Sequence, residues 1–243
     1  PTGATHWEGT AVILDRKICS GCGRCVDVCP VKAREWSGKE MALDDIVREA
    51  KEDEMFYMSS GGGVTISGGD PLYFPEFTTE LARRLKEEML HVTIDTAAFC
   101  RWPFMDELRK HADLFLIDLK TMDTEKYRDI IGASLSIVKD NLEKLTEKGA
   151  AVRVRIPVIP GFNDSEADFT AFSTYLQRIG KRLQGVDILP FHAYAGKKYK
   201  MLGRWEKYQF CKTESVQPED LKGLAAMLKQ AGFSPTDARL TIG

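Results

Sequence analysis

The run Leu114-Phe115-Leu116-Ile117-Asp118-Leu119-Lys120 decides the fold of this 243-residue chain. Four consecutive apolar residues, the length of a short buried strand, lead directly into a carboxylate and then an amine. A helical pattern precedes the run at residues 102–111, and another follows it with apolar residues at 138, 142 and 145. A second strand-like run covers residues 152–158. The order of strand, helix and strand predicts two parallel strands joined by a helical crossover.

The same alternation continues along most of the chain. The predicted strands are residues 64–67, 91–95, 114–118, 152–158 and 186–189. Each is paired with a helical pattern, and Ser165 is the predicted N-cap of the helix that follows the fourth strand. Five strands that alternate with helices indicate an α/β fold with a mainly parallel sheet.

The composition narrows the classes of function. The chain is 43% apolar and 29% charged, with a formal net charge of −2, which is ordinary for a globular protein. No basic stripe suits a nucleic acid, and no apolar run has the length needed to span a bilayer. We therefore expect neither a nucleic-acid nor a membrane partner. The cysteine usage favours a reducing compartment, so we expect a cytoplasmic protein.

Four of the six cysteines form the run C-x2-C-x2-C-x3-C-P, at Cys19, Cys22, Cys25 and Cys29. This spacing is typical of iron-sulfur ligation, whereas zinc sites pair two separated C-x2-C knuckles; zinc and free thiols are the alternatives. In two-cluster ferredoxins the first three cysteines hold one [4Fe-4S] cluster and the fourth serves the other. The run therefore predicts two clusters that are both incomplete within this chain. We expect a ferredoxin-like unit at 1–37 and a second domain at 38–243.

Several predicted strands end in chemically useful residues. Gly68 and Gly69 precede Asp70, and Asp118 and Lys120 follow the opening run. Because the carboxyl ends of parallel strands meet at one rim, we expect these groups to share a site. Simple turn chemistry explains the glycines equally well, and surface exposure is the usual fate of such charges.

Four further candidates lie within the predicted strands or at their ends. Asp95 and Thr96 end the second predicted strand, Arg155 lies within the fourth, and His192 follows the fifth. An arginine in an apolar strand needs a partner, which is either a ligand carboxylate or an aspartate of the protein. A lone histidine is more often a satisfied core residue than a ligand.

These motifs together carry a family resemblance. Residues 60–71 (Ser-Gly-Gly-Gly-Val-Thr-Ile-Ser-Gly-Gly-Asp-Pro), Asp118-Leu119-Lys120, Arg155 followed by Pro160-Gly161, and Leu189-Pro190-Phe191-His192 closely resemble the glycyl-radical-enzyme activases of the radical S-adenosylmethionine (SAM) superfamily. The resemblance implies a partial (β/α)6 TIM-like barrel, here without its first strand, preceded by part of a ferredoxin-like iron-sulfur insertion. It also implies an oxidoreductase that cleaves SAM reductively to a 5'-deoxyadenosyl radical, which takes a hydrogen atom from a glycine of a partner enzyme.

The resemblance also implies roles for single residues. Gly68, Gly69 and Asp70 fall where relatives receive the methionyl amino group, with Asp in place of the commoner Glu. Residues that in relatives contact SAM correspond to Lys120, Arg155 and His192. A monovalent cation is implied at Asp95, Thr96 and Asp118. The implied partners are a glycyl radical enzyme and an external electron donor such as flavodoxin or ferredoxin.

One departure from the family pattern is large. The C-x3-C-x2-C loop that binds the catalytic cluster does not occur among the six cysteines, so no catalytic residue is assigned. We therefore expect this chain to be an inactive N-terminally truncated fragment of the activase. Residues 67–75 and 191–199 most resemble activases of fumarate-adding enzymes, benzylsuccinate synthase among them. The alternatives are a non-catalytic electron-transfer or docking module on a SAM-like barrel and, less favoured because Asp70 repels phosphate, a phosphate-binding barrel.

Overall fold

The computed structural model describes residues 2–36 and 38–237. Pro1 and Ser37, which are the predicted limits of the first domain, lie outside the described residues. The strands are β1 Thr5–Glu8, β2 Ala11–Leu14, β3 Val64–Ile66, β4 Val92–Thr96, β5 Leu114–Asp118, β6 Val152–Val158, β7 Gly185–Pro190 and β8 Thr236–Asp237.

Ten α-helices accompany these strands in the described residues. They are α1 Arg24–Asp27, α2 Leu43–Lys51, α3 Glu54–Ser60, α4 Pro75–Glu87, α5 Trp102–Leu108, α6 Thr124–Lys126, α7 Leu135–Glu147, α8 Glu166–Ile179, α9 Ala195–Met201 and α10 Lys222–Gln230. Short 3-10 turns occur at Pro71–Tyr73, Gly180–Arg182, Trp205–Lys207 and Pro218–Leu221, and a π-helical turn at Tyr127–Ile131. Ser165 caps α8 as predicted, because its hydroxyl accepts the amide of Asp168.

The chain divides into two compact units. The first, here the cysteine unit, contains residues up to Ala42 together with Gly196–Tyr208. The second, the barrel unit, contains Leu43–Ala195 and the residues from Gln209 onward. The sequence predicts that residues 196–208 belong to the barrel domain, whereas in the structure they belong to the cysteine unit. The predicted boundary after residue 37 stays a prediction.

The barrel unit contains a six-stranded sheet in the order β3-β4-β5-β6-β7-β8, and every neighbouring pair is parallel. The predicted α/β fold with a partial barrel is therefore confirmed. Strand β8 adds a sixth strand that the sequence does not predict. Two residues carry too little pattern to distinguish a strand from a loop.

The two faces of this sheet differ in chemistry, as β6 shows most clearly. Val152, Val154, Ile156 and Val158 are buried against the helices, with 0–1% of each exposed. The residues between them, including Arg153 and Arg155, are half-buried on the opposite face. The apolar face stabilises the sheet, and the charged face is the one that can meet a ligand.

In the cysteine unit, β1 and β2 form an antiparallel hairpin, with Thr5 opposite Leu14. Arg16 extends from the end of this hairpin and donates to the carbonyl of Met201. The rings of Tyr199 and Tyr208 stack with centroids 4.7 Å apart. The bond from Arg16 joins residues 196–208 to the hairpin, and the tyrosine pair packs within that segment. In neither unit does a described helix have the length and apolar character required to cross a membrane.

Candidate functional site

Asp70 is held firmly at the carboxyl end of β3. Its carboxylate accepts the amide of Leu72 at 2.9 Å and so caps the 3-10 turn that begins at Pro71. It also accepts the hydroxyl of Thr96 at 2.8 Å and the amide of Ala97 at 2.8 Å. Asp70 therefore joins the ends of β3 and β4 and is fixed before any ligand binds.

The two glycines before Asp70 leave the backbone uncovered. Gly68 has φ +147°, which L side chains rarely adopt. A Cβ atom built on either Gly68 or Gly69 would have no neighbouring atom within 4 Å. The approach to Asp70 over these residues is therefore open to a ligand.

Arg155 links two carboxylates across three strands. Its Nη1 atom donates to Asp95 at 3.0 Å and its Nε atom donates to Asp118 at 2.8 Å, while Nη2 contacts both. Burial opposes the charge of the guanidinium, but Asp118 and Asp95 outweigh this effect and raise the pKa of Arg155. Of the two partners that the sequence allows for Arg155, the structure has the aspartates of the protein.

Lys120 extends the network by one step, since its Nζ atom donates to Asp118 at 3.1 Å. The backbone of Lys120 is fixed by Asn163, a residue that is completely buried. The Asn163 amide donates to the carbonyls of Lys120 and Pro157, each at 2.7 Å. This side chain joins the loops that follow β5 and β6. Sequence reasoning misses it because a single asparagine carries no periodic signal.

A second buried amide shapes the loop after β4. Asn141, from α7, is 1% exposed and donates to the carbonyls of Ala98 and Cys100, each at 2.8 Å. Ala98 has φ +55°, an uncommon value for a residue with a side chain. Burial, and secondarily the charge of Asp70, raise the pKa of the Cys100 thiol to about 11. Cys100 is therefore a protonated thiol at neutral pH.

His192 stands apart from these contacts. Its ring is exposed and lies against Tyr194, with ring centroids 4.3 Å apart. The interpretation of His192 as a satisfied core residue is therefore wrong. Its predicted contact with SAM stays a prediction.

The structure thus gathers Asp95, Asp118, Lys120 and Arg155 into one network, and it places Asp70 and Thr96 in a second one. The two networks share β4, because Asp95 and Thr96 are consecutive residues of that strand. The predicted cation at Asp95, Thr96 and Asp118 stays a prediction. The guanidinium of Arg155 supplies the positive charge between the two carboxylates, and the hydroxyl of Thr96 donates to Asp70 instead.

The four cysteines of the run lie in the cysteine unit, with Cys22 exposed and the other three half-buried. Backbone amides point at three of the sulfurs, including Gly21 to Cys19 at 3.4 Å and Ala33 to Cys29 at 3.2 Å. Such bonds lower the pKa of Cys22, through the amide of Arg24, and of Cys29. Amide donors to thiolates are a feature of iron-sulfur ligation, so the donor chemistry fits. Among the described residues, however, no group of three or more His, Cys, Asp or Glu side chains is arranged to hold a metal ion.

Comparison with known proteins gives one family. Residues 17–172 match the model of the radical SAM superfamily. The chain is 46% identical over 253 residues to the benzylsuccinate synthase activating enzyme of Thauera aromatica, an alignment that covers 90% of this chain and 76% of that protein. It is 35% identical over 219 residues to the pyruvate formate-lyase 2-activating enzyme of Escherichia coli strain K12, which covers 90% and 73%.

A solved structure agrees with these relatives. The crystal structure of a domain of pyruvate-formate lyase-activating enzyme from Bacteroides vulgatus is similar to this chain with a TM-score of 0.61. The sequences are 25% identical, and the match covers 73% of this chain and 99% of that one.

Proposed function

The chain belongs to the radical SAM superfamily and, within it, to the enzymes that activate glycyl radical enzymes, and we propose that its sheet rim is the SAM site. In the reaction of such an activase, one electron cleaves SAM to methionine and a 5'-deoxyadenosyl radical, which takes a hydrogen atom from a glycine of the partner enzyme and becomes 5'-deoxyadenosine. One observation carries the proposal: Asp70 and the network around Arg155 occupy the carboxyl ends of neighbouring parallel strands, where such sheets bind ligands.

The charge of the rim suits SAM. Asp70, Asp95 and Asp118 carry three negative charges against the two positive charges of Lys120 and Arg155, so one negative charge remains. SAM has a sulfonium, an ammonium and a carboxylate and therefore carries a net single positive charge. Opposite net charges favour binding in a partly buried site.

Each end of the methionyl group has a suitable partner. A carboxylate has about four lone-pair sites, and the three donors to Asp70 leave room for the ammonium group over Gly68 and Gly69. The ammonium of Lys120 has three N–H groups, of which Asp118 takes one. The others can bind the SAM carboxylate, with Arg155 beside them. We also propose His192 as a contact to SAM, as the family resemblance implies.

A [4Fe-4S] cluster would supply the electron for SAM cleavage when bound, and the C-x3-C-x2-C loop that would hold it does not occur among the six cysteines. Cys19, Cys22, Cys25 and Cys29 have the donor chemistry for accessory clusters of this type, and we propose that these clusters receive electrons from an external flavodoxin or ferredoxin. A thiolate run of this kind needs a reducing compartment, so we propose the cytoplasm.

For the partner, we propose a glycyl radical enzyme of the benzylsuccinate synthase type. The support is the identity of 46% with the activating enzyme of that partner, against 35% with the pyruvate formate-lyase 2-activating enzyme over the same share of this chain.

The test uses the full-length protein that contains this chain, reconstituted with iron and sulfide under anaerobic conditions. We expect a reductant to yield methionine and 5'-deoxyadenosine from SAM. The Lys120→Met variant should bind SAM at least about tenfold more weakly, because it loses a charge-assisted contact. Lys110→Met is the matched control, since Lys110 is exposed and paired with Glu107 on α5. Clusters without SAM cleavage would instead identify a non-catalytic redox module.

The partner has its own test. The reconstituted protein is incubated with SAM and either a benzylsuccinate synthase or a pyruvate formate-lyase, and the glycyl radical is measured by EPR. We expect the radical signal with the first enzyme. A signal with pyruvate formate-lyase alone would overturn the proposed partner while leaving the SAM chemistry intact.

A further inference from the structure

Two arginines lie on the same face of β6 and have different partners. Arg153 and Arg155 are two residues apart, so both side chains project from the charged face of the sheet. In the parallel register with β7, Arg155 lies directly opposite Asp187 and Arg153 lies opposite Gly185. Side chains directly opposite each other on neighbouring strands have Cβ atoms only about 5 Å apart. In the parallel register with β5, Arg155 also lies directly opposite Asp118. By register alone, Asp118 and Asp187 are therefore equally placed to pair with Arg155.

The structure pairs Arg155 with Asp118, whereas Asp187 pairs with the other arginine. Arg153 takes Asp187, since its Nε atom donates to one carboxylate oxygen at 3.1 Å and Nη2 donates to the other. This hydrogen bonding is the main cause of a raised pKa for Arg153. Both side chains are largely shielded, with 28% of Arg153 and 15% of Asp187 exposed. A bidentate pair in such surroundings has a defined geometry.

Gly185 makes this diagonal pairing possible. A Cβ atom at Gly185 would lie 2.7 Å from Nη1 and 2.9 Å from Cζ of Arg153, so the guanidinium lies where a side chain would otherwise be. The missing side chain opposite Arg153 thus lets its guanidinium lie across β7 and reach Asp187.

We propose that Arg153 is a positioning residue for SAM binding, because it occupies Asp187 and thereby leaves Arg155 to bridge Asp95 and Asp118 at the rim. The inference rests on the proposed SAM site. Without Arg153, Asp187 would be a shielded carboxylate with an arginine directly opposite, and burial of an unpaired charge is costly. Asp187 would then compete with Asp95 and Asp118 for the guanidinium of Arg155.

This arrangement predicts that substitutions of Arg153 and of Asp187 have different effects on SAM binding. Loss of Arg153 releases a competing carboxylate, whereas conversion of Asp187 to asparagine removes the competitor itself. The double substitution removes both charges and leaves Arg155 with its two rim partners. A pair that only stabilised the sheet would respond similarly to either single substitution.

The experiment measures the dissociation constant of SAM for the full-length reconstituted protein and for Arg153→Met, Asp187→Asn and the double variant, with unfolding in urea measured in parallel. We expect Arg153→Met to bind SAM at least about tenfold more weakly, a loss of roughly 1.4 kcal/mol or more. Asp187→Asn and the double variant should stay within about threefold of the wild type. Restored SAM affinity in the double variant is the result specific to positioning.

Gly185→Ala provides a second test that leaves every charge in place. Its Cβ atom should displace the Arg153 guanidinium and weaken SAM binding in the same direction as Arg153→Met, so the test remains available if Arg153→Met does not fold. Wild-type affinity in both variants would overturn the inference, as would equal losses in Arg153→Met and the double variant. Failure of the wild-type protein to bind SAM would instead overturn the proposed function.

Discussion

Replacement of Asn163 by alanine is expected to destabilise the barrel unit by roughly 3 kcal/mol. The Asn163 side chain is completely buried and makes three hydrogen bonds of 2.7 Å. It donates to the carbonyls of Lys120 and Pro157 and accepts the amide of Ile159. Each bond contributes about 1 kcal/mol net, and each backbone group left buried without a partner costs about 1–3 kcal/mol. Partial access of water to the emptied space keeps the total near the lower end of this sum.

The assay is equilibrium unfolding in urea followed by far-UV circular dichroism. Most helical residues belong to the barrel unit, so the signal reports on that unit. With a urea dependence of about 2–3 kcal/mol per molar, the midpoint should fall by roughly 1–1.5 M without a change in slope. SAM affinity should fall as well, because Asn163 fixes the backbone of Lys120.

A neighbouring residue provides the matched control. Asp164 also accepts a backbone amide, that of Gly161 at 3.0 Å, but this bond is exposed to solvent. Asp164→Ala should therefore cost less than about 1 kcal/mol, since water can replace the lost acceptor. Equal midpoints for Asn163→Ala and Asp164→Ala would refute the reasoning that burial of the amide determines its contribution.

Three further predictions concern separate parts of the molecule. In the metal-free protein, iodoacetamide should alkylate Cys29 at a lower pH than Cys100, because the pKa of Cys29 is lowered and that of Cys100 is raised to about 11. Mass spectrometry that finds Cys100 labelled first would contradict this. Thr96→Val should lower the free energy of unfolding by roughly 1–3 kcal/mol, because it removes the buried donor to Asp70; an unchanged urea midpoint would count against it. Burial raises the pKa of Asp113, but hydrogen bonds from a lysine and a backbone amide outweigh burial and lower it. The stability lost in Asp113→Asn should therefore be large at pH 7 and should shrink as the pH falls below about 4. A loss that grows with acidity would contradict that sign.

Much of the fold can be predicted from the sequence because the helix and strand patterns are strong. Strand β5 is predicted at both of its ends, since its apolar run stops sharply at Asp118. Strand β8 and the grouping of residues 196–208 with the cysteine unit are not predictable in this way. The first is too short to show a period, and the second depends on contacts between residues far apart in sequence, such as that of Arg16 with Met201.

The candidate site is likewise only partly predictable from the sequence. Strand-end logic predicts that Asp70, Asp118 and Lys120 lie at one rim, because the position of a strand end follows from local pattern. The pairing of Arg155 with two aspartates at once depends on the register of three strands, which the pattern does not specify. The buried amide of Asn163 is undetectable for another reason: its function is to satisfy backbone groups of two loops, and the sequence does not show which carbonyls lack partners.

The two faces of β6 explain how the charged side chains at the rim have defined positions. The four buried residues of the outer face hold the strand in register, because a slip of one residue would expose all of them and bury the arginines. The height of Arg155 relative to the rim is therefore fixed by the apolar core and not by its ion pairs. What the core leaves open is the choice of partner, since Asp118 on β5 and Asp187 on β7 both lie directly opposite Arg155. Arg153 occupies Asp187, so core packing and one diagonal ion pair together determine where the guanidinium of Arg155 lies.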